Sequence, residues 1–444
     1  MGMKRMELLK TILLSTLVTL SLLLTWNVWS YQPASDPYDE SETTVENVAI
    51  ADERNSSELI QPSRFLVHGE VAVSGTSDET NINTLTSLME EWNIYNVQQN
   101  YSFNEEEFQD IVHGSNRIEV LYPAEIPFSA YRDILNFENS SLPEDAFDRV
   151  VIDLSGQDDT PFTLYFVHYE NRVIYEGRVD ATHLEELNNQ IVSGAATAYS
   201  PYFAHDTGER FIYLPVERRE YLKYLYKMST IDINLFRRAL FQDPDAVTMN
   251  QFGASRDQYF DQSSNLMEVD RNNNTLSYVN PSAELSTVGR AGELFQKSRR
   301  FVNEHEGWVD TYYLYNLDAM DQEVTYRMHE QGLPVFNDNG AAEIYQEWGE
   351  TRIHQYARSF LSKQVEIPVE SDRVSIGSGY EAIEAIESIE DYEPERLQDV
   401  TVGYYMTKNS TDNTYTLDPV WYYKYNGSWA RVPVIGGGDP VGLE

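Results

Sequence analysis

The sequence predicts an α+β protein with one N-terminal transmembrane helix and a multi-domain extracytoplasmic region. The first reason is an uncharged stretch near the start of the 444-residue chain, which runs from Thr11 to Tyr31. The second is the composition, 41% hydrophobic and 13% aromatic, which is enough for sizeable cores. The third is an element order, a helix followed by an antiparallel meander, that occurs twice towards the C-terminus. This repetition predicts two related helix-plus-antiparallel-sheet modules.

The N-terminal stretch is long enough to cross a membrane. About twenty apolar residues span the hydrocarbon layer as a helix. Lys4, Arg5 and Lys10 precede the stretch, so residues 1–10 are predicted to be a cytoplasmic stub. Residues 11–31 then form the transmembrane helix, and the bulk of the chain is extracytoplasmic. The predicted localisation is the cell membrane, with a single pass.

The outer end of this helix is rich in aromatic residues. Trp26, Trp29 and Tyr31 stand where interfacial side chains meet the outer head groups, and we interpret them as depth anchors rather than partner contacts. The alternative for the whole stretch is a cleaved signal peptide, which has a shorter apolar core and a small-residue cleavage site. The only tolerable site, residues 28–30, is flanked by bulky aromatics. An uncleaved anchor is therefore favoured.

One face of the anchor carries small hydroxyl side chains. Thr11, Ser15 and Thr19 recur every four residues and so form one stripe along the helix. Small residues let helices approach closely in lipid, and hydroxyls can hydrogen-bond across the contact. The alternative is that each hydroxyl bonds to its own preceding turn and faces lipid. The first interpretation predicts a partner contact within the membrane.

The composition also limits the partners and the chemistry. The formal net charge of −40 argues against nucleic acid and anionic lipid, which are polyanions. Such a surface favours solubility outside the cell, with an acidic binding face as the alternative. The chain has no cysteine, which excludes disulfides and thiolate metal sites. Residues 32–60 contain eight acids, one base and no sustained apolar pattern, which predicts an extended or disordered tether.

The region 61–208 is predicted to be an N-terminal α+β domain. Period-2 runs predict strands and 3.6-period runs predict helices. A strand at 65–67 is expected to continue through 71–73 to a turn at Ser74-Gly75. The other predicted strands are 118–122, 146–154, 162–169 and 172–178, and the predicted helices are 83–93, 105–112 and 181–192.

The rest of the chain is predicted to form a central domain, 209–345, and a C-terminal domain, 346–436. In the first, a helix at 288–305 has Leu294, Phe295 and Val302 among the apolar residues of one face. In the second, a helix at 380–389 carries Ile383 and Ile386. The second module is expected to begin with the run 354–369. The strands predicted around these helices are 309–316, 323–327, 334–336, 400–408, 415–425 and 429–434.

The sequence contains no convincing catalytic motif. His305-Glu306 starts like a zinc HExxH motif, but the second histidine is absent, and His305 fits the end of the preceding helix better. Glu381, Glu384 and Glu387 are interpreted as a solvated acidic face, because glycosidase carboxylates must face each other across a sugar. We therefore predict that the protein is not an enzyme and has no cofactor and no metal site.

Four stretches resemble the YycH (WalH) family, which accompanies the YycFG (WalKR) two-component system of Gram-positive bacteria. They are Leu23–Pro33 in the membrane segment, Ser298–Trp308, Gly332–Phe336, and Leu417–Trp421 with Gly427–Trp429. The length and the single-pass topology are also similar. The resemblance thus covers the whole chain.

The resemblance implies a function that the composition does not. YycH-like proteins form a complex with YycI, a similar single-pass protein, and together they engage the YycG/WalK sensor kinase and adjust cell-wall metabolism, in most members by restraining the kinase. The expected partners are a YycI-like protein, the kinase and the membrane, with a homo-oligomer left open. The alternative is an extracytoplasmic binding module that recognises wall polymer or cations through its acidic surface. An envelope hydrolase, a third class, would need residues that the sequence does not show.

Overall fold

The structure is a computed structural model that describes residues 53–139, 141–156, 160–284, 289–305, 307–367, 373–409 and 414–433. Residues 47–444 form one compact unit, and all described residues belong to it. The helices within them are α1 Ser56–Leu59, α2 Glu79–Glu90, α3 Glu105–His113, α4 Phe128–Tyr131, α5 Thr182–Leu187, α6 Ala195–Ala198, α7 Ile233–Leu240, α8 Ala291–His305 and α9 Gly379–Glu387. A short π-helix at Asn188–Val192 continues α5, and 3₁₀ helices lie at Pro244–Ala246 and Pro394–Arg396.

A ten-stranded sheet contains the strands of the N-terminal part, and only its short β5 pairs in parallel. Its spatial order is β10-β9-β2-β1-β4-β6-β7-β8-β3-β5. The strands are β1 Arg64–His68, β2 Val73–Thr76, β3 Asn93–Asn100, β4 Arg117–Pro127, β5 Asn136–Phe137, β6 Ala146–Asp153, β7 Phe162–His168, β8 Val173–Val179, β9 Ser200–Asp206 and β10 Phe211–Pro215.

A fourteen-stranded sheet contains the C-terminal part. Its order is β13-β14-β15-β16-β21-β20-β18-β19-β24-β25-β12-β22, with β17 paired to β18 and β26 paired to β25. A separate two-stranded sheet joins β11 to β23. The strands are β11 Arg219–Leu222, β12 Tyr224–Thr230, β13 Thr248–Phe252, β14 Arg256–Phe260, β15 Leu266–Asp270, β16 Thr275–Val279, β17 Tyr312–Asp318, β18 Glu323–Glu330, β19 Leu333–Phe336, β20 Glu343–Trp348, β21 Ile353–Ser359, β22 Leu361–Glu366, β23 Arg373–Ile376, β24 Leu397–Asn409, β25 Thr414–Tyr425 and β26 Ser428–Arg431.

The predicted mixture of helices and largely antiparallel sheets is confirmed. Helix α8 ends at His305 as expected, and Leu294, Phe295 and Val302 on its predicted apolar face are buried. Helix α9 likewise buries Ile383 and Ile386. In each case the 3.6-residue spacing of apolar side chains was enough to identify the buried face.

The predicted domain limits fall within paired structure. The limit at 208/209 lies in the hairpin between β9 and β10, which pair along the whole of β10. The limit at 345/346 lies inside β20. Strands of the predicted central and C-terminal domains also pair with each other, since β12 hydrogen-bonds to both β22 and β25. Whether the two modules are separate domains stays a prediction, but they share one sheet.

The local structure differs from the predictions at several points. The hairpin after β1 turns at residues 69–72, where the Gly69 N–H donates to the Ala72 carbonyl, and the predicted turn residues Ser74-Gly75 lie inside β2. Gly75 is needed there for space, because a Cβ atom would come within 2.6 Å of Leu66. The run 354–369, with which the second module was expected to begin, contains two strands that separate at Phe360 and pair with different neighbours. Finally, the meander from β13 to β16 was not predicted.

The described part of the chain begins close to a short helix rather than with a long tether. The tether was predicted to run to residue 60, yet α1 is folded from Ser56 onwards, and Leu59 and Ile60 are buried. The predicted transmembrane helix, 11–31, lies outside the described residues. Within those residues, no helix combines the length and the apolar character that crossing a membrane requires.

Candidate functional site

The site residues predicted from the sequence all precede the described part of the chain. They are the membrane-contact residues Thr11, Ser15 and Thr19 and the interface residues Trp26, Trp29 and Tyr31. The structure therefore neither places them nor brings them together. What it does describe is a junction near residue 53, where the first described residues contact helix α8.

This junction is centred on Arg54, whose backbone is held by side chains of α8. The Arg54 N–H donates to Asn303 Oδ1 at 3.1 Å, and the Arg54 carbonyl accepts from Asn303 Nδ2 at 3.1 Å and from Arg299 Nη1 at 3.2 Å. The Arg54 guanidinium donates to the Asp310 carbonyl at 3.3 Å. We call Arg54, Arg299, Asn303 and Asp310 the tether dock.

Trp308 fixes the central side chain of the tether dock. Its indole Nε1 donates to Asn303 Oδ1 at 2.6 Å, the same oxygen that accepts from Arg54. Trp308 is itself buried and packs edge-on against Tyr326, with ring centroids 4.8 Å apart. A side-chain amide that bonds to both the N–H and the carbonyl of one residue mimics a strand partner, so Asn303 holds Arg54 in a defined position.

Helix α1 adds a second set of contacts directly after Arg54. Asn55 caps the helix, and its side chain and that of Glu58 form a reciprocal capping box. Ser56 Oγ donates to Asp133 Oδ2 at 2.9 Å, and Gln296 Nε2 on α8 donates to the same oxygen at 3.1 Å. Asp133 thus links α1 to α8.

A second polar centre lies inside the N-terminal part, around the fully buried Glu119. His68 Nε2 and His113 Nδ1 lie 2.9 and 3.0 Å from Glu119 Oε2, and Arg149 Nη1 lies 2.5 Å from Oε1. Because a carboxylate only accepts, both imidazoles donate to it. His113 Nε2 then accepts from the Tyr169 hydroxyl at 3.1 Å, which defines the neutral tautomer of His113.

The charges of this centre compensate each other. Burial favours the neutral acid, but the histidines and Arg149 outweigh it and hold the pKa of Glu119 well below its usual range. Burial lowers the pKa of His113. At neutral pH the Glu119 carboxylate is therefore paired with the Arg149 guanidinium, beside an uncharged His113.

The chemistry open to this centre is limited because both oxygens of Glu119 already accept hydrogen bonds. His68, His113 and Glu119 offer three ligand-type atoms within 4.8 Å of one another, a metal-like grouping that was not predicted from the sequence. A divalent ion there would have to displace both histidine protons and would stand beside the Arg149 guanidinium. The residues fit an internal ion pair better than a metal centre, and Glu119 has no exposed oxygen with which to act as a base on a substrate.

A cleft of about 540 Å³ is lined by residues of both the N-terminal and the C-terminal sheet. Arg64 on β1 is one of them, and its Nη2 lies 2.5 Å from Asp399 Oδ1 on β24. The cleft walls mix both signs of charge, and Arg210 pairs with Glu170 on one side. Because opposite charges pair closely in this cleft, we interpret it as part of the contact between the two sheets and not as a site for one charged ligand.

The acidic face predicted on α9 is partly solvated. Glu384 and Glu387 are exposed, as expected. Glu381 instead accepts from the Ser378 N–H in a capping box and pairs with Arg218. The Ser378 hydrogen bond lowers the pKa of Glu381. Glu381 therefore caps the helix, whereas Glu384 and Glu387 lie on its exposed surface.

Two sets of contacts could not be found by sequence reasoning. His68 and Glu119 are far apart in sequence, and the register of β1 against β4 brings them together. The tether dock joins Arg54 to Asn303, which lies 249 positions further along the chain. A signal for the dock was present, because Arg299, Asn303 and Trp308 all belong to the stretch Ser298–Trp308 that carries the family resemblance.

Comparison with known families gives two matches that together span nearly the whole chain. Residues 7–195 match the N-terminal domain of the YycH protein, and residues 209–439 match its C-terminal domain. One curated relative is the two-component system WalR/WalK regulatory protein YycH of Bacillus subtilis (strain 168). It is 24% identical over 442 residues, which cover 96% of this chain and 96% of the relative.

A solved structure is similar in fold. The crystal structure of YycH from Bacillus subtilis superimposes with a TM-score of 0.72 and 18% sequence identity. The match covers 87% of this chain and 99% of that chain. At this identity the likeness concerns the fold alone.

Proposed function

Because the chain belongs to the YycH family, we propose that it is a non-enzymatic, membrane-anchored regulator of a WalK-type sensor kinase. With a YycI-like single-pass partner it would restrain the kinase and so limit the output that controls cell-wall metabolism. The observation that carries this proposal is the match over 96% of both chains to a relative named as a regulatory protein of the WalR/WalK system. The coverage matters because anchor-proximal and C-terminal regions are both included.

The absence of catalysis is part of the proposal, and the saturated Glu119 supports it. A general base needs a lone pair within reach of a substrate proton. Both Glu119 oxygens instead accept from buried side chains. Regulation would then depend on contacts with partners and not on turnover.

The tether dock supports a link between anchor and folded part. Four hydrogen bonds connect Arg54 to α8 and the segment after it. A chain that only needed solubility outside the membrane would not require Arg54, at the start of the described residues, to be fixed to α8. A regulator that acts through both membrane and extracytoplasmic contacts would benefit from this fixed connection.

Co-purification tests the proposal. The full-length chain with a C-terminal affinity tag is expressed in a strain that lacks its own copy, and membranes are solubilised in mild detergent. We expect the sensor kinase and the YycI-like protein to co-purify, and a reporter of the kinase-controlled genes to rise on deletion and return on complementation. A reporter that does not change on deletion, with neither protein bound, would refute the function.

A second experiment addresses the membrane contact. Replacing Thr11, Ser15 and Thr19 together by Leu keeps the segment apolar but fills the small stripe, so close helix approach should fail. We expect the reporter to move towards the deletion level while protein amount and topology stay unchanged. The matched control replaces Leu13, Leu17 and Leu20 by Ile, which leaves the stripe intact. Normal regulation by the triple Leu variant would indicate that the contact lies in the extracytoplasmic part.

A further inference from the structure

Strand β13, Thr248–Phe252, forms one end of the fourteen-stranded sheet. It pairs with β14 in an uninterrupted antiparallel register, from Thr248↔Phe260 to Phe252↔Arg256. Its other side pairs with no described strand. All five residues are exposed, including Met249 at 47% and Phe252 at 55%. The strand therefore presents free backbone groups beside exposed apolar side chains.

The other sheet edges carry features that discourage pairing with another chain. Charges, proline, bulges, short length and covering helices are the usual devices. Strand β22 carries Lys363, and a bulge interrupts its pairing with β12. Strand β10 ends in Pro215 and is packed against α9. Strand β5 has two residues, β17 contains a bulge, and β26 and the small β11–β23 sheet carry Arg431, Arg219, Glu220 and Arg373.

Strand β13 has none of these devices. Its residues, Thr-Met-Asn-Gln-Phe, are all uncharged in a chain whose formal charge is −40. An exposed, regular and uncharged edge with two large apolar side chains is a site for strand addition. The contrast with the guarded edges indicates that this edge is left open for a partner.

We propose that β13 is the docking edge for an extended segment of a protein partner, which adds to the sheet as an antiparallel strand. This inference rests on the proposed function, since it names the surface through which the regulator would bind its partner outside the membrane. Main-chain hydrogen bonds would provide affinity, and side chains opposite Met249 and Phe252 would provide selectivity. Those two positions lie on opposite faces, so the partner strand needs apolar side chains three positions apart.

The net charge of the chain and the acidic residues near β13 indicate the chemistry of the partner strand. A second copy of the chain would bring another −40 to the contact, which opposes self-pairing. Asp243 and Asp245 both lie shortly before the start of β13, and neither has an ion-pair partner among the described residues. The C-terminal end of an antiparallel partner strand would lie beside them. The expected occupant is therefore a strand with apolar side chains three positions apart and no charge other than a Lys or Arg at its C-terminal end.

The test uses the full-length chain in the co-purification described above. The double variant Met249→Lys/Phe252→Lys gives β13 the charges that guard other edges. The control Val365→Lys makes the same kind of change on the guarded strand β22, where Val365 is 59% exposed. We expect the double variant to lose at least tenfold of the co-purified kinase or YycI-like partner, and the control to retain both.

Folding is separated from docking by labelling after purification. The chain has no cysteine, so Asn250→Cys provides a single thiol on the exposed strand. A bulky sulfonated maleimide attached to the folded variant should block partner binding, while the unlabelled variant should bind. Unchanged circular dichroism would show that the label acts on docking.

Each outcome decides between the proposals. Loss of the partner in both modified proteins, with the control unaffected, supports the docking edge. Normal binding by the double variant and by the labelled protein overturns it and leaves the regulatory function standing. Failure of the unmodified chain to bind either partner refutes the function and the inference together. A dimer in sedimentation that the double variant abolishes would assign the edge to self-association and overturn the proposed occupant.

Discussion

At the scale of single residues, Glu119 is the clearest case of a buried charge that its neighbours make tolerable. An isolated buried carboxylate would be neutralised, whereas this one accepts from two imidazoles and one guanidinium. Removing its charge leaves Arg149, which is also buried, with Asp148 3.6 Å away as its remaining acidic neighbour. The centre thus depends on all of its members.

We expect Glu119→Gln to lower the free energy of unfolding by about 3–5 kcal/mol, because breaking a buried pair leaves an uncompensated charge. Urea denaturation of the detergent-solubilised chain, followed by tryptophan fluorescence, measures it. The control Glu220→Gln removes a carboxylate whose pair with Arg373 is exposed on both sides, and should cost under ~1 kcal/mol. Equal effects of the two substitutions would contradict this account.

His329 predicts how stability depends on pH. Burial lowers its pKa to about 3, and its ring donates to the Arg327 carbonyl through Nδ1 at 2.9 Å. Below the ordinary histidine pKa of about 6.5, the unfolded chain binds a proton that the folded chain does not. The contribution of His329 is therefore complete above about pH 6.5, and it falls by about 1.4 kcal/mol per pH unit on acidification towards pH 3.

The variant His329→Asn retains a donor in the position of Nδ1 and removes the titration. The free energy of unfolding, obtained from the urea midpoint and slope, should fall from pH 7.5 to pH 5.0 in the unmodified chain. In the variant this fall should be smaller by about 2 kcal/mol. Comparison at pH 7.5 alone gives the cost of the lost packing and serves as the internal control. An unchanged difference between the two pH values would show that His329 does not titrate in this range.

At the scale of helices and strands, local pattern was a good guide where side chains alternate between core and solvent. Strands β6 to β8 and helices α3 and α9 lie within two residues of their predicted limits. The pattern failed where pairing decided the structure. The run 354–369 is divided at Phe360 because β21 and β22 take different neighbours, and no local signal encodes that choice. The α1 helix was missed because its apolar residues are only Leu59 and the following Ile60.

Helix α9 approaches β10 closely at its first residue. A Cβ atom on Gly379 would lie 2.5 Å from Leu214 Cβ and 2.8 Å from the Pro215 carbonyl oxygen. We expect Gly379→Ala to lower the free energy of unfolding by about 1–3 kcal/mol through overpacking. The matched control Gly194→Ala meets its nearest atom, Ala198 Cβ, at 4.0 Å and should change stability by under ~0.5 kcal/mol.

Thermal or urea unfolding measures both glycine variants. Crystallographic or hydrogen-exchange data on Gly379→Ala should place the disturbance at the α9–β10 contact. A destabilisation as large in Gly194→Ala would mean that loss of glycine flexibility, rather than crowding, is responsible.

At the scale of the whole molecule, strand β1 of the N-terminal sheet is tied to strand β24 of the C-terminal sheet. Arg64 on β1 is buried and contacts Asp399 on β24, 335 positions away. The order of the predicted helices and strands suggested an N-terminal, a central and a C-terminal domain linked in series. The sequence could not show that the first sheet strand is fixed to one of the last, because such a contact depends on the assembled sheets.

A double-mutant cycle tests the strength of this link. We expect Arg64→Met and Asp399→Asn to couple by about 0.5–3 kcal/mol in the free energy of unfolding, as groups in direct contact do. The control pair Arg218→Met and Glu381→Gln joins more exposed groups and should couple by under ~1 kcal/mol. Additive effects at Arg64 and Asp399 would show that the seam between the sheets is not held by this ion pair.

The tether dock also determines how a mechanical load would travel. A pull on the chain at residue 53 reaches Arg54 first, where four hydrogen bonds share the force in parallel. From Arg299 and Asn303 it passes along α8 to Ser298, which bonds to Tyr326 and Gln346 in the fourteen-stranded sheet. Strand β1 lies further along the chain and is loaded later. Tension applied at residue 53 would therefore strain the C-terminal sheet before the N-terminal one, although the N-terminal one comes first in the sequence.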